Sequence, residues 1–179
     1  MMLVLAALWG LAEATVFFIV PDVLLSWIAL RYGARKAVGA AIVACGGALA
    51  GGALMYVWGA EDGEGARSFL DRIPAISSGM IVDAGEDLQR KGVAALFEGM
   101  VRGTPYKAYA VEAGIQTIGV LSFLAMSVPA RLSRFLAIIA ITSGVSAVLR
   151  RRISPNAAAA VVIGLWVLFY AVYFAIMPN

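Results

Sequence analysis

Long apolar runs that are interrupted by single charged or helix-breaking residues dominate this chain. The first run covers residues 3–20 and a shorter one covers residues 23–30, with Pro21 and Asp22 between them. A helix as short as the second run rises only about 12 Å, too little to cross a hydrocarbon core of about 30 Å. Because proline removes a backbone donor, we expect residues 3–30 to form a re-entrant helical hairpin. The alternative is an ordinary membrane helix that ends at Pro21 and is followed by an interfacial helix.

Four further apolar runs are candidates for membrane helices, and they cover residues 37–59, 115–129, 132–149 and 157–177. The first contains Gly47 and Gly51 in GxxxG spacing. Small residues let helix backbones approach closely in lipid, so we expect residues 37–59 to pack against the hairpin or a second copy of the chain. Tyr56 and Trp58 are expected to anchor its far end at the interface.

Residues 60–92 form the long polar stretch of the chain. We interpret it as a solvated connecting loop. The alternative is an amphipathic surface helix over residues 82–95, in which Val82 and Leu88 would face apolar surroundings.

The next stretch, residues 93–114, mixes apolar residues with charges and is broken near Gly103 and Pro105. Glycine and proline both disfavour a helix interior. We expect a second re-entrant hairpin with basic groups, Arg102 and Lys107, at its tip. Two interrupted segments in corresponding halves of a membrane protein indicate a transport site. An amphipathic helix that binds lipid headgroups is the alternative.

Composition supports a membrane location for the whole chain. Hydrophobic residues make up 62% and charged residues 14%, and the mean hydropathy is +0.89. A soluble domain has roughly 45–50% apolar and about 25% charged residues. We therefore predict one all-α integral membrane domain over residues 1–179. It would contain two re-entrant hairpins plus about four transmembrane helices, including C-terminal helices within residues 115–179, in an inverted-repeat-like arrangement.

The basic residues are interpreted as orientation signals. The net charge is only +3, so we expect no nucleic-acid partner. Three groups are expected to mark interfaces, with the first two on one face and the third opposite. These groups are Arg31, Arg35 and Lys36, then Arg131 and Arg134, then Arg150, Arg151 and Arg152.

Several chemistries lack their usual residues. The chain has no histidine and a single cysteine, Cys45, so the commonest general base and metal ligand is missing. No GxSxG nucleophile motif occurs in it. We expect no enzyme, no catalytic residues, no metal site and no cofactor.

Five features together resemble the DedA family, also called the VTT or SNARE-associated Golgi protein superfamily. They are Glu13, the Pro21-Asp22 pair, a Gly-rich helix ending near Tyr56, Arg102-x-x-Pro105, and Ala113-Gly114. The similarity runs over about residues 8–149 and suggests a divergent small bacterial member. It implies two facing re-entrant hairpins plus membrane helices, and a location in the bacterial cytoplasmic (inner) membrane. It also implies lipid transport, as a flippase or scramblase.

The resemblance assigns roles to individual residues. Glu13 matches the family's first membrane acid and Asp22 the acid after its proline, while Arg102 matches the first essential arginine of the second hairpin. Ala108 stands where the family has its second arginine, with Lys107 adjacent, and lysine binds phosphate as a point charge. The resemblance thus implies that Arg102 and Lys107 bind the phosphate of a carrier lipid such as undecaprenyl phosphate. Glu13 and Asp22 would balance these cations or couple transport to protons.

Two other functions stay open at this point. A proton-coupled exporter of small cations would need the acids but not Arg102. A structural membrane protein would organise partners, or form a homo-oligomer, through the face that contains Gly47 and Gly51.

Overall fold

The computed structural model describes residues 1–149 and 154–176, and all regular elements within these ranges are helical. The predicted all-α class is therefore confirmed. The helices are α1 (Met2–Glu13), α2 (Asp22–Tyr32), α3 (Ala34–Glu61), α4 (Gly63–Leu70), α5 (Ser78–Lys91), α6 (Ala95–Arg102), α7 (Tyr106–Ile115), α8 (Val120–Leu149) and α9 (Pro155–Ile176), with a 3-10 turn at Gly92–Ala94 before α6.

Three helices of the described chain are long and apolar enough to cross a membrane, namely α3, α8 over Val120–Val148, and α9 over Asn156–Ile176. The prediction of two separate spans at residues 115–129 and 132–149 is wrong, because α8 runs through both with Pro129 inside it. Neighbouring helices can satisfy the backbone group that a proline frees within a membrane helix. The proline therefore does not end the helix.

The first apolar run is not one helix, since α1 ends at Glu13 rather than at Pro21. The Thr15 hydroxyl donates to the Leu11 carbonyl at 2.9 Å, and such back-bonding competes with the helical ladder. Beyond it the Trp9 indole donates to the Ile19 carbonyl at 2.9 Å, which folds the segment back on α1. Pro21 then directly precedes α2, as Pro105 directly precedes α7. Both prolines therefore stand where a helix begins, a position that proline favours.

Helix α3 is the support on which α1 and α7 pack. A Cβ atom at Gly47 would overlap the Ala7 carbonyl, and one at Gly51 would touch Ala14. Further along α3, a Cβ atom at Gly59 would overlap the Val111 carbonyl of α7. Of the two predicted partners for the glycine face of α3, the first segment is the one that packs on it in this chain.

The order of these contacts fixes the direction of the short helices. Ala7 of α1 meets α3 at Gly47, and Ala14 meets it at Gly51. Further along α3, Tyr106 of α7 meets Gly52 and Val111 meets Gly59. Both short helices are thus parallel to α3, with α1 alongside it as far as Gly51 and α7 alongside it from Gly52 onward. The end of α1 and the start of α7 consequently meet near the middle of α3.

Gly47→Ala is expected to destabilise the fold by about 1–3 kcal/mol, because overpacking a close helix contact forces the backbones apart. The control is Gly46→Ala, since a Cβ atom at Gly46 would have no neighbour within 4 Å. Thermal unfolding in detergent can be followed by a thiol-reactive dye, because Cys45 is buried until the chain unfolds. Equal melting temperatures for the two variants would contradict the close packing of α1 on α3.

The polar stretch is folded as two helices, α4 and α5, and not as the solvated loop that was predicted. The Asp62 carboxylate accepts from the Gly65 amide at 2.9 Å and caps the start of α4. Helix α5 matches the amphipathic alternative in kind, but it covers Ser78–Lys91 instead of residues 82–95. Its buried face includes Leu88, whereas Val82 is exposed.

One of the three basic groups does not lie as predicted. Arg131 and Arg134 are inside α8 rather than at an interface. Arg31, Arg35 and Lys36 are exposed where α2 meets α3, and the Arg31 guanidinium donates to Asn156 at 3.1 Å. The start of α9 is therefore near the end of α2. Arg150, Arg151 and Arg152, the third predicted interface group, lie outside the described residues.

Candidate functional site

A cavity of about 500 Å³ lies where the two interrupted segments meet α8 and α9. Glu13 and Asp22 come from the first segment, Lys107 from the start of α7, and Arg131 and Arg134 from α8. The five ionisable side chains share one cavity, although they come from four different helices. The rest of the lining is mainly aliphatic and aromatic, so the charges stand in apolar surroundings.

Two ion pairs join the first segment to α8. The Arg131 guanidinium binds the Glu13 carboxylate, and both side chains are buried. One turn along α8, the Nη2 atom of Arg134 lies 3.1 Å from the Oδ2 atom of Asp22, which is also buried. Residues three apart on a helix lie on the same face, so both arginines point to the break between α1 and α2.

An aromatic platform fixes the position of Arg131. Its guanidinium lies over the Tyr106 ring, 4.3 Å from the ring centroid. The Tyr106 hydroxyl donates to Ser127 at 3.0 Å, and the Ser127 hydroxyl donates to the Phe123 carbonyl at 2.7 Å. A cation over a ring is favoured by the ring quadrupole. Arg131 is therefore held in place even without its carboxylate partner.

Lys107 joins the tips of the two interrupted segments. Its ammonium group donates to the Phe17 carbonyl at 2.6 Å, across the gap from α7 to the segment that follows α1. The residue is only 2% exposed. A lysine so deeply buried, with a neutral carbonyl as its hydrogen-bond partner, has two donors left for a ligand.

The cluster contains more positive charge and more hydrogen-bonding capacity than it uses. Three cations face two carboxylates around the cavity. Among the buried atoms of the described residues, Arg131 Nε, Arg134 Nη2 and Asp22 Oδ1 have no hydrogen-bond partner, the Arg134–Asp22 contact being an ion pair without hydrogen-bond geometry. Leaving such a group unsatisfied costs about 1–3 kcal/mol. Chemically, the cluster is suited to bind an anion that rearranges these pairs.

Helix α9 forms an aromatic wall of the cavity. The Trp166 indole donates to the Ser26 hydroxyl at 2.8 Å, and the Tyr170 hydroxyl accepts from the Val20 amide at 2.9 Å. The opposite face of α9 exposes large apolar side chains such as Val167 and Leu168. The wall thus separates the charged cavity from the apolar surroundings of the helix.

The predicted site residues are only partly brought together. Glu13, Asp22 and Lys107 line the cavity, but Arg102 does not belong to the described residues that line it. Arg102 is 55% exposed and lies 3.3 Å from Asp87. The predicted pairing of the two acids with Arg102 is therefore not found, because Arg131 and Arg134 take that place. Two arginines three residues apart in an apolar run could have revealed them, since intramembrane charges mark functional sites by default.

A second cavity, of about 490 Å³, lies between α4, α5 and α7. At its edge the Arg67 guanidinium binds the buried Glu112 carboxylate through two hydrogen bonds of 2.6 and 2.7 Å. Hydrogen bonding to Glu112 raises the pKa of Arg67, so the guanidinium stays charged. Among the described residues that line this second cavity, no buried polar side-chain atom lacks a hydrogen-bond partner. The Arg67–Glu112 pair joins α4 to α7.

Arg67→Ala is expected to destabilise the protein by about 2 kcal/mol, because it leaves the Glu112 carboxylate buried without its partner. Adding Glu112→Gln should recover much of this loss, since the buried charge is then gone. Melting temperatures in detergent measure both effects. The structural role of the pair is wrong if Arg67→Ala melts with the parent chain.

Within residues 1–149 and 154–176, no group of three or more Cys, Asp or Glu side chains is arranged to hold a metal ion. Comparison with known protein families, curated proteins and solved structures gives no match for this chain. The geometry of the charged cavity is therefore the basis for a functional proposal.

Proposed function

We propose that this chain moves a phosphate-bearing lipid across a membrane and holds the headgroup in the charged cavity. The observation that carries this proposal is the excess of cationic groups, Arg131, Arg134 and Lys107, over two carboxylates in a cavity with a mainly apolar lining. Phosphate oxygens bind guanidinium groups through paired, charge-assisted hydrogen bonds. The three cations are therefore suited to a phosphate that has left water.

In this proposal α1 with α2 and α6 with α7 are two re-entrant hairpins that enter from opposite sides. The support comes from α3, which is long enough to span while α1 lies alongside it as far as Gly51 and α7 lies alongside it from Gly52. Helix α2 ends at Tyr32, directly before α3 begins at Ala34, and α1 runs parallel to α3, so α2 returns to the side from which α1 begins. Irregular backbone at membrane depth is tolerated where it lines a cavity.

In the empty site, the two carboxylates would pair with the arginines in place of the ligand. In the empty site Glu13 neutralises Arg131 and Asp22 neutralises Arg134. An arriving phosphate would exchange with them, and their return would release it to the other side. Because one charged partner replaces another, the headgroup would cross without leaving an arginine unpaired, which is the costly state in a dry interior. Protonation of Glu13 or Asp22 would weaken its return to the arginine, and could couple the transport cycle to protons.

The lipid tail would stay in the hydrocarbon while its headgroup occupies the cavity. The aromatic wall of α9 is held to the first segment and α2 by side-chain hydrogen bonds. If α9 separated from the first segment and α2, the hydrocarbon chain of a prenyl or acyl lipid would extend out of the cavity between them. The resemblance to the DedA family suggests undecaprenyl phosphate and the bacterial cytoplasmic membrane, and both belong to the proposal.

Export of small cations is less well supported by the same cavity. A cation would meet three positive side chains and only two acids, each of which is already paired. Like charges in a low-dielectric site repel strongly.

The proposal is tested by translocation in vesicles that contain the purified chain. A phosphatidic acid with a fluorophore on its acyl chain serves as the probe, and dithionite bleaches only the outer leaflet. We expect the protein to make nearly all of the probe accessible, whereas protein-free vesicles stop near half. A lipid with a cationic headgroup and no phosphate should remain near half. Equal bleaching of this lipid and the phosphate lipid would contradict phosphate recognition.

A further inference from the structure

Asp87 collects hydrogen bonds from three helices at the edge of the cavity. Its carboxylate is 2.7 Å from Arg90 of α5 and 3.3 Å from Arg102 of α6, and it accepts from the Tyr109 hydroxyl of α7 at 3.2 Å. The Asp87 side chain is 1% exposed, whereas both arginines are largely exposed. These four residues are called the Asp87 clasp.

The clasp holds both flanks of the loop that joins α6 to α7. Arg102 is the last residue of α6, and Tyr109 lies in the first turn and a half of α7. Between them Gly103 has φ of 83°, a conformation that favours glycine. Lys107, which reaches the other interrupted segment, also lies between the two clasped residues. The clasp therefore fixes the backbone from which Lys107 extends.

Tyr109 links the clasp to the cavity wall. Its ring lines the cavity and packs directly on Gly99, where a Cβ atom would overlap the ring. Burial alone would raise the pKa of Asp87, but the hydrogen bonds from Arg90 and Tyr109 and the charge of Arg102 lower it below its usual value. Asp87 thus stays ionised, and the clasp persists, at neutral pH.

We propose that Arg102 is a positioning residue, which acts through Asp87 and Tyr109 to hold the start of α7 and Lys107 in place, and that it does not bind the ligand. This inference rests on the proposed function, since it concerns the same cavity. It gives Arg102 a different role from Arg131 and Arg134, which line the cavity themselves. A ligand-binding arginine and a positioning arginine respond differently when Asp87 is changed as well.

The test is a double-mutant cycle of Arg102→Ala and Asp87→Asn in the vesicle assay. Each single change should lower the translocation rate about fivefold, because Lys107 is then no longer held in place at the cavity. The double variant should be no slower than either single one, because residues that act as a unit are non-additive. Arg102→Lys should recover most of the rate. Losses that multiply, or a lack of recovery in Arg102→Lys, would overturn the positioning role.

Lys91→Ala is the matched control for this cycle. Lys91 is a neighbouring exposed cation of α5 that pairs with Glu98 at 2.5 Å and not with Asp87. Glu98 also lies 3.4 Å from Arg102, so this control removes the other cation of Glu98 and leaves the Arg102–Asp87 contact in place. It should translocate at the rate of the parent chain. A fivefold loss here would mean that any surface charge of α5 matters, which would also overturn the specific role of the clasp.

A second measurement needs no transport and separates the two proposals. Met100 lines the cavity beside Gly99, so Met100→Cys in a Cys45→Ser background reports on the position of the loop. Asp87→Asn and Arg102→Ala should each speed its reaction with maleimide several-fold, and Lys91→Ala should not. Unchanged labelling would refute the clasp even if the chain transports lipid. Faster labelling in a chain without transport would retain the clasp and refute the proposed function.

Discussion

Replacing Arg131 by alanine is expected to lower phosphate-lipid translocation by about 100-fold. A charge-assisted hydrogen bond contributes about 1.5–3 kcal/mol, and about 2.7 kcal/mol corresponds to 100-fold. Arg131 is the best-positioned donor of the cavity, because its guanidinium lies over the Tyr106 ring. Its unpartnered Nε atom is available to a ligand once the side chain rearranges. The vesicle assay measures the effect directly.

Two further variants separate binding from folding in this experiment. Arg131→Ala leaves Glu13 buried without its partner, which can destabilise the fold by about 3–5 kcal/mol. The double variant Arg131→Ala/Glu13→Gln removes both charges and should melt close to the parent chain while remaining inactive. Arg72→Ala, a change at an exposed arginine outside the cavity, should remain fully active. Normal transport by the folded double variant would contradict the phosphate role of Arg131.

Glu13→Gln is expected to have the opposite effect on binding and a large effect on turnover. Without the carboxylate, Arg131 has no charged competitor for the phosphate, so the headgroup should bind about 10–100-fold more tightly. Release should slow by a similar factor, because no carboxylate returns to displace the headgroup. The half-saturating lipid density and the maximal rate should therefore both fall.

The shape of this response distinguishes exchange from simple charge balance. If Glu13 served only to keep the site folded, Glu13→Gln would lower the rate without tightening binding. Asp22→Asn offers the comparison, since Asp22 pairs with Arg134 in the same cavity. We expect the same pattern from it, in weaker form, because Arg134 is partly exposed. A raised half-saturating density in both variants would exclude the exchange mechanism.

The hydrophobic pattern predicted the class of the fold and the close packing of α3, because both follow from local composition. The small residues of α3 need partners at short distance, and α1 meets them at Gly47 and Gly51. The end of α1 was not predictable in this way. It depends on a threonine hydroxyl and on the Trp9 indole that returns to Ile19, and these contacts appear only in the folded chain.

Only some of the charged residues of the cavity were predicted, and the others were missed for a single reason. Glu13 and Asp22 were identified as acids of the first apolar stretch, with Asp22 directly after Pro21, and Lys107 as a basic group beside Pro105. Arg131 and Arg134 were placed at an interface because residues 115–129 and 132–149 were predicted as two separate spans. Helix α8 instead continues through Pro129 and carries both arginines into the bundle. Neighbouring helices can satisfy the backbone group that a proline frees within a membrane helix.

Arg102 illustrates the limit of assigning a role from spacing. It stands before Pro105 as the resemblance requires, yet its guanidinium points to Asp87 and Glu98 outside the cavity. Asp87 lies in a stretch that was interpreted as a loop, so its part in the site could not be expected. Only the packing of α5 on α7 brings Asp87 to Tyr109 at the cavity.

The most direct test of the charged cavity is an experimental structure of the full chain in a lipid nanodisc with a prenyl monophosphate. We predict density for the phosphate inside the cavity, about 2.7–3.2 Å from the guanidinium of Arg131 and close to Lys107, with Glu13 turned away. A phosphate bound at the exposed Arg102, with the Arg131–Glu13 pair intact and the cavity without headgroup density, would contradict it.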